Sequence, residues 1–284
     1  MAQFTNQAQL SYNNATVNSN VAVGEILDVL AANKIAVTDT YTPSGDVTYV
    51  ISAVNSGTTP LSGLSVTDNL GAYTFGETTL YPLSYKDGSV RLYINGVLQA
   101  APTVTAGPPL VFSGITIPAN SNMVLVYEAN VTAFAPLGEE DSIINTATIT
   151  GGGLSTPVTV NETVTPVAEP LLDITKSISP VPVTENGVVT YTFLIRNNGN
   201  APADAAANVT LTDTFLPALS GLTVLLDGVA LVEGTDYTYA ITEGDFATVP
   251  GVITVPAATY TQDPVSGVWS VTPGVTTLTV SGTI

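Results

Sequence analysis

Apolar and polar residues alternate in short runs along the whole chain, as in Val47-Thr48-Tyr49-Val50-Ile51 and Thr190-Tyr191-Thr192-Phe193-Leu194-Ile195, with Gly, Pro, Asn or Asp between the runs. Period-two alternation sets one face of a strand in a core and the other in solvent, so the pattern predicts an all-β chain of sandwich type. No stretch of about ten residues keeps a helical period, and Val23 to Ala32 is expected to give one short turn at most.

The alternating pattern repeats. Residues 34–57 align without a gap onto 176–199, matching Lys34 with Lys176, Gly45 with Gly187, Tyr49 with Tyr191 and Asn55 with Asn197. The match continues through Val66-Thr67-Asp68 on Leu211-Thr212-Asp213, Asn95-Gly96-Val97 on Asp227-Gly228-Val229, and Ile115 to Ala119 on Ile253 to Ala257. Self-similarity of this extent predicts two copies of one domain.

The copies differ in one strand. After Val124 to Tyr127 the first copy continues into Ile143-Ile144-Asn145-Thr146-Ala147-Thr148-Ile149, whereas the second reaches Thr277 to Val280 and shows no such run before Ile284. A matching run lies at the other end: Phe4 to Leu10 aligns onto Ile143 to Ile149, with Asn6 on Asn145, Ala8 on Ala147 and Leu10 on Ile149. The expected organisation is an N-terminal donor strand in residues 1–22, a complete immunoglobulin-like β-sandwich in 23–165, and a second sandwich in 166–284 lacking its last strand.

A sandwich missing a strand exposes core and unpaired backbone, so it needs a strand from somewhere. Phe4, Asn6, Ala8 and Leu10 would supply its inward face. Self-completion is within reach, because the roughly 24 residues from Leu10 to Lys34 span up to about 80 Å when extended. Donation to another copy makes every junction alike, and a head-to-tail contact that does not close gives a filament. A free N-terminal tail is the third arrangement.

Length and charge narrow the classes. At 284 residues the chain holds about two domains on the usual prior of roughly 150 each. It carries 23 Asp and Glu against 5 Lys and Arg, a net charge of −18, with no His and no Cys. That removes Ser-His and Cys-His nucleophiles, His or Cys metal sites and disulfides; no cofactor or metal is expected. An acidic surface repels nucleic acid, and no apolar run approaches the roughly 20 residues of a bilayer span, so neither nucleic acid nor membrane insertion is expected. The N-terminus shows neither the basic nor the apolar region of a secretory signal.

Strand parity places three kinds of polar residue on apolar faces. Asp213 shares a face with Val209, Leu211 and Phe215, and Asp68 with Leu64, Val66 and Leu70. Lys176 lies on the face of Leu172, Ile174 and Ile178; Lys34 is the weaker case, flanked on its face by Ala32 and Ala36. Asn6 falls with Phe4, Ala8 and Leu10, and Asn145 with Ile143, Ala147 and Ile149. Buried separately, an ammonium, a carboxylate and an amide each cost several kcal/mol. Together they have a solution: burial favours a neutral amine beside a protonated acid, the acid polarises the Asn carbonyl, and the amine attacks to give a Lys-Asn isopeptide bond with loss of ammonia. Ordinary surface roles for the same residues also fit. Against those roles stands the scarcity of lysine, three in the chain with two at matching positions.

The run Lys176…Gly187…Thr190-Tyr191…Asn197-Asn198-Gly199…Leu211-Thr212-Asp213-Thr214, with Asn145-Thr146-Ala147-Thr148 closing the first copy, resembles the conserved repeat domain of prokaryotic surface proteins. It is also similar to the isopeptide-forming immunoglobulin-like domains of Gram-positive adhesins and pilins. The resemblance covers nearly the whole chain through short motifs. It implies a Lys-Asp-Asn triad of Lys34, Asp68 and Asn145 in the first domain, and Lys176 and Asp213 with a donated Asn6 for the second, the aspartates acting as proton shuttles. Many such domains use Glu as the acid where this chain has Asp.

The expected function is a structural subunit of an extracellular, cell- or spore-surface filament, a head-to-tail homopolymer with itself as partner. The alternative is a monomeric adhesin or surface-layer component that binds a ligand. No enzyme activity is expected beyond the single-turnover bond. Glu139-Glu140-Asp141 reads as a solvated loop more readily than as a calcium site, and the Asn-x-Thr matches at Asn14, Asn130, Asn161 and Asn208 are of the number that chance gives in a Thr-rich chain.

Overall fold

The computed structural model describes residues 2–13 and 15–284, so Asn14 of the first Asn-x-Thr match lies outside the described residues. The chain is all-β: apart from a 3₁₀ turn at Ala205–Ala207, every regular element among the described residues is a strand. Residues 1–136 with 142–165 form one compact unit and 137–141 with 166–284 a second. The loop 137–141 groups with the second unit, where the Asn200 side chain donates to the Leu137 carbonyl.

Residues 2–13 and 15–26 carry the paired strands β1 (Ala2–Asn6), β2 (Gln9–Tyr12), β3 (Ala15–Asn18) and β4 (Ala22–Ile26), a hairpin. β1 pairs with β4 from Ala2↔Ile26 to Asn6↔Ala22, and β2 with β3 from Gln9↔Asn18 to Tyr12↔Ala15. The N-terminal segment thus carries four paired strands where the sequence pattern marks one, and Val23 to Ala32 holds no helical turn, within the limit of one short turn at most. The β-branched and alternating residues of 22–26 have a ladder partner in β1, which local pattern alone does not reveal.

The first unit is a sandwich of two sheets. One runs β8 (Arg91–Ile94), β11 (Ser121–Val131), β6 (Asp46–Asn55), β5 (Leu30–Ala36). The other runs β9 (Thr103–Thr105), β10 (Leu110–Ile117), β7 (Leu61–Asp68), β12 (Ile143–Thr150), β13 (Val158–Pro166), and ends on the short strand Thr40–Tyr41. Alternate residues of β6, β11 and β12 are buried between the sheets, including Tyr49, Ile51, Leu125, Tyr127, Ala147 and Ile149.

The second unit repeats this order and stops short of it. β14 (Leu172–Ser179), β15 (Val188–Asn197), β20 (Gly274–Thr283) and β17 (Ser220–Leu226) rebuild the first sheet in the same sequence of neighbours. The facing sheet holds only β16 (Thr212–Thr214), β19 (Asp245–Thr248) and β18 (Tyr237–Ala240), the counterparts of β7, β10 and β9. Among the described residues of this unit, nothing stands where β12 and β13 stand in the first.

The repeated Asn-x-Gly gives each unit a buried amide that ties backbone segments together, and in the second unit the entering chain at Leu171 is one of them. Asn55 donates to the Thr59, Ile117 and Pro118 carbonyls and accepts from Gly57. Asn197 donates to Ala201 and Pro256 and accepts from Leu171 and Gly199. Each amide is thereby satisfied while buried. Gly199 is required there, since a Cβ would meet the Glu169 carbonyl oxygen at 2.1 Å.

Candidate functional site

In the first unit the candidate residues converge on one buried cluster. Lys34 is carried by the edge strand β5, Asp68 ends β7, and Asn145 lies on β12, which pairs with β7 from Ala147↔Asp68 to Thr150↔Ser65. The Lys34 Nζ is 2.6 Å from Asp68 Oδ2, and both side chains are fully buried. Asp68 Oδ1 accepts the Leu70 N–H at 2.8 Å, which closes the turn after β7.

Two tyrosines that sequence reasoning did not assign complete the cluster. Tyr127 of β11 donates its hydroxyl to Asp68 Oδ2, and the Asn145 amide nitrogen approaches the same hydroxyl at 3.4 Å. Tyr49 stacks on Tyr127 with centroids 5.6 Å apart, and its ring lies 4.7 Å beneath the Lys34 ammonium. The signal for Tyr127 was its parity: it shares the inward face of β11 with Met123, Leu125 and Ala129. Two polar atoms here are buried without a hydrogen-bond partner, the Tyr49 hydroxyl and Asn145 Oδ1.

The electrostatics follow from dryness. Burial pushes the Lys34 pKa below its ordinary value, against the pull of Asp68 and, more weakly, Glu162. Burial and then the Asp68 charge push the Tyr49 and Tyr127 hydroxyls upward. An amine whose proton is held loosely, a carboxylate 2.6 Å from it and an amide carbonyl with no donor are the components of an acyl transfer onto nitrogen.

In the second unit Lys176 again contacts Asp213, and its ammonium lies 4.7 Å over the Tyr191 ring as Lys34 does over Tyr49. The pair is open: 42% of the Lys176 side chain and 18% of Asp213 meet solvent. Every residue of β14 is exposed, whereas Leu30, Lys34 and Ala36 of the matching β5 are buried. Leu172, Ile174, Ile195, Val209 and Leu211 line an apolar groove beside the pair, with Ile174 54% exposed. Parity ranked Lys34 behind Lys176; the structure reverses the order, because the cover over the strand and not the size of the flanking side chains decides burial. Val280 faces Tyr191 where Tyr127 faces Tyr49, so the second pair has no counterpart of the Tyr127 hydroxyl.

Asn6 lies in the first unit, at the end of β1 opposite Ala22, whereas Lys176 and Asp213 belong to the second. Phe4 and Leu10 are exposed on the same hairpin, and Ala8 sits between β1 and β2 with its backbone held by Ser19. Asp141 accepts from the Gly138 N–H at 2.7 Å. Among the described residues no group of three His, Cys, Asp or Glu side chains is placed to hold a metal ion, and no helix is long and apolar enough to cross a membrane.

No family model matches the sequence, and no curated protein matches it either. Similar solved structures include the major pilin subunit of Bacillus cereus (TM-score 0.38, 11% identity, 87% of this chain and 64% of that one). They also include the full-length major pilin SpaD of Corynebacterium diphtheriae (0.36, 13%, 86% and 59%) and the pilus backbone RrgB of Streptococcus pneumoniae (0.34, 12%, 86% and 55%). The chain thus spans a little over half the length of these pilins.

Proposed function

We propose that the protein is a structural subunit of an extracellular filament at a cell or spore surface, in which the N-terminal segment of one copy completes the second unit of the next. The observation that supports this most is a single contrast. The same Lys-Asp pair occurs twice, sealed under the Asn145 strand in one unit and open in the other, while an exposed segment carrying Asn6 in the matching position lies at the head of the chain. A row of exposed apolar residues beside a strand paired on one edge only is a docking surface by its physical character.

The covalent step follows from the cluster. Within the pair the Lys34 proton passes to Asp68; the neutral amine attacks Asn145 Cγ as Asp68 gives that proton to the carbonyl oxygen, Asp68 then carries a proton from the attacking nitrogen to Nδ2, and as the Cγ–Nδ2 bond breaks the carbonyl oxygen returns its proton to Asp68. One N–C bond replaces another, one ammonia departs, and no oxidant or cofactor is consumed. Lys176, Asp213 and a neighbour's Asn6 would do the same across the junction. Tyr127 holds Asp68 in place in the first unit.

Negative-stain electron microscopy of the purified chain, with and without residues 1–12, tests the reading. Beaded fibres from the full chain and single particles from the truncated one are expected. Fibres of unchanged spacing from the truncated chain would sink strand donation, and single particles from the full chain would favour a monomeric, ligand-binding surface protein.

A further inference from the structure

We infer that the donated element is the whole hairpin 2–26 and not its first strand alone, so that a second copy adds two strands to the open sheet beside β16. This rests on the filament reading and specifies its junction.

The first unit shows what closing such a groove takes. The sheet does not stop at β12: β13 pairs with it from Ile143↔Val164 to Ile149↔Val158, Val164 of β13 is completely buried, and the sheet continues to Thr40–Tyr41. This β12–β13 hairpin immediately precedes β14 in the chain, as the hairpin 2–26 immediately precedes β5.

The N-terminal segment is already folded for that purpose. Its ladder has the antiparallel order of β12–β13, and Ser19 carries it across the break between the two halves, its N–H donating to the Ala8 carbonyl at 2.8 Å while its hydroxyl accepts from the Ala8 N–H at 2.9 Å. The Phe4 ring lies over Gly24, where a Cβ would come within 2.3 Å of it. Yet Phe4, Leu10, Tyr12 and Val17 are all exposed. A two-stranded ribbon with no core is marginal alone, so these residues await a surface.

The register is set by the repeat. Ala147 faces Asp68 in the first unit, so Ala8 would face Asp213, Leu10 would face Leu211, and Asn6 would stand toward Lys176 as Asn145 stands toward Lys34. β16 has three residues where β7 has eight, which is what a strand paired on one side only would be expected to give, and two added strands would extend it.

The test uses the full chain with two sets of changes. Thr16→Pro, Val17→Pro, Ala22→Pro and Val23→Pro together break β3 and β4 and leave 2–12 untouched. Neighbouring N–H groups point to opposite sides of a strand, so each proline pair removes at least one ladder bond. Leu10→Asp breaks the first strand. With hairpin donation, both variants need a subunit concentration higher by about tenfold or more to assemble. If the proline variant assembles like the wild type and Leu10→Asp does not, one strand suffices and the hairpin inference fails while strand donation stands. If both assemble like the wild type, the filament reading itself fails. Hydrogen exchange gives an independent reading: the amides of 15–26 should gain protection along with those of 2–12 on assembly, and protection confined to 2–12 would overturn the inference. A wild-type chain that stays monomeric with both stretches protected would mean self-completion and would overturn the second-copy occupant.

Discussion

Lys34 and Lys176 occupy the same position in two repeats, each with its ammonium against the matching aspartate and over the matching tyrosine ring, and only the first is sealed from water. On the filament reading proposed above, the first site is what the second becomes when its groove is filled.

The first concerns mass. Intact wild-type protein should weigh one ammonia less than its sequence, and digestion should yield a branched peptide joining Lys34 to Asn145. Asp68→Ala should restore the sequence mass. An unmodified mass in folded wild-type protein would refute the bond.

Removing one partner of the buried pair should be costly. In Asn145→Ala, where no bond can form, adding Lys34→Ala leaves the Asp68 carboxylate dry and uncompensated apart from Tyr127 and the Leu70 N–H, a loss of about 3–5 kcal/mol by analogy with other broken buried pairs. Lys176→Ala in the unassembled chain removes a contact that water already screens and should cost about 1 kcal/mol or less. Denaturant midpoints of the two variants, compared under non-assembling conditions, measure the difference; equal losses would mean that the two pairs are not in different surroundings.

Tyr127 should matter to the rate of bond formation in the first unit. Tyr127→Phe removes a hydroxyl that touches both Asp68 and Asn145, and a hydrogen bond to a charged group is worth about 1.5–3 kcal/mol. The mass change after refolding should appear more slowly in this variant, while a Lys176–Asn6 link, formed where Val280 replaces the tyrosine, should keep its rate. Unchanged kinetics in the first unit would make Tyr127 a packing residue only.

The pH dependence has two arms of opposite sign. Lys34 has a lowered pKa in the fold, so in Asn145→Ala, which cannot form the bond, the unfolded chain binds more protons between that lowered value and 10.5, and this group's contribution to stability rises with pH across the window. Tyr49 and Tyr127 have raised values, so their contribution is present below pH 10 and is lost above it as the unfolded chain ionises first. In an ultraviolet titration of the 12 tyrosines, these two should ionise only as the fold opens, and Tyr49→Phe should shrink that late step. A single titration near pH 10 with the fold intact would contradict the burial of the cluster.

Assembled filaments, boiled in detergent, should run as a ladder unaffected by reductant, there being no cysteine. Asn6→Ala should leave fibres visible and collapse the ladder to monomer. A wild-type filament that runs wholly as monomer would remove the covalent link and spare the strand contact, which burial of Phe4 and Leu10 could hold.

The alternation of β6 and β15, the gap-free match of 34–57 onto 176–199, and the shared parity of Asp68 with Leu64 and Val66 are local properties of the chain, and they determine an all-β fold with a repeated Lys-Asp pair. Asn6 and Asn145 were legible as equivalents for the same reason. What lay beyond the sequence was every feature that depends on a partner from far along the chain. Tyr127 joins the cluster because β11 pairs with β6, which lays its ring on Tyr49 across a separation that no local pattern encodes. Residues 22–26 are a strand because β1 returns to meet them. Lys34, flanked by alanines, is buried and Lys176, flanked by isoleucines, is exposed because desolvation is set by how far the opposite sheet extends, and only the tertiary structure decides that.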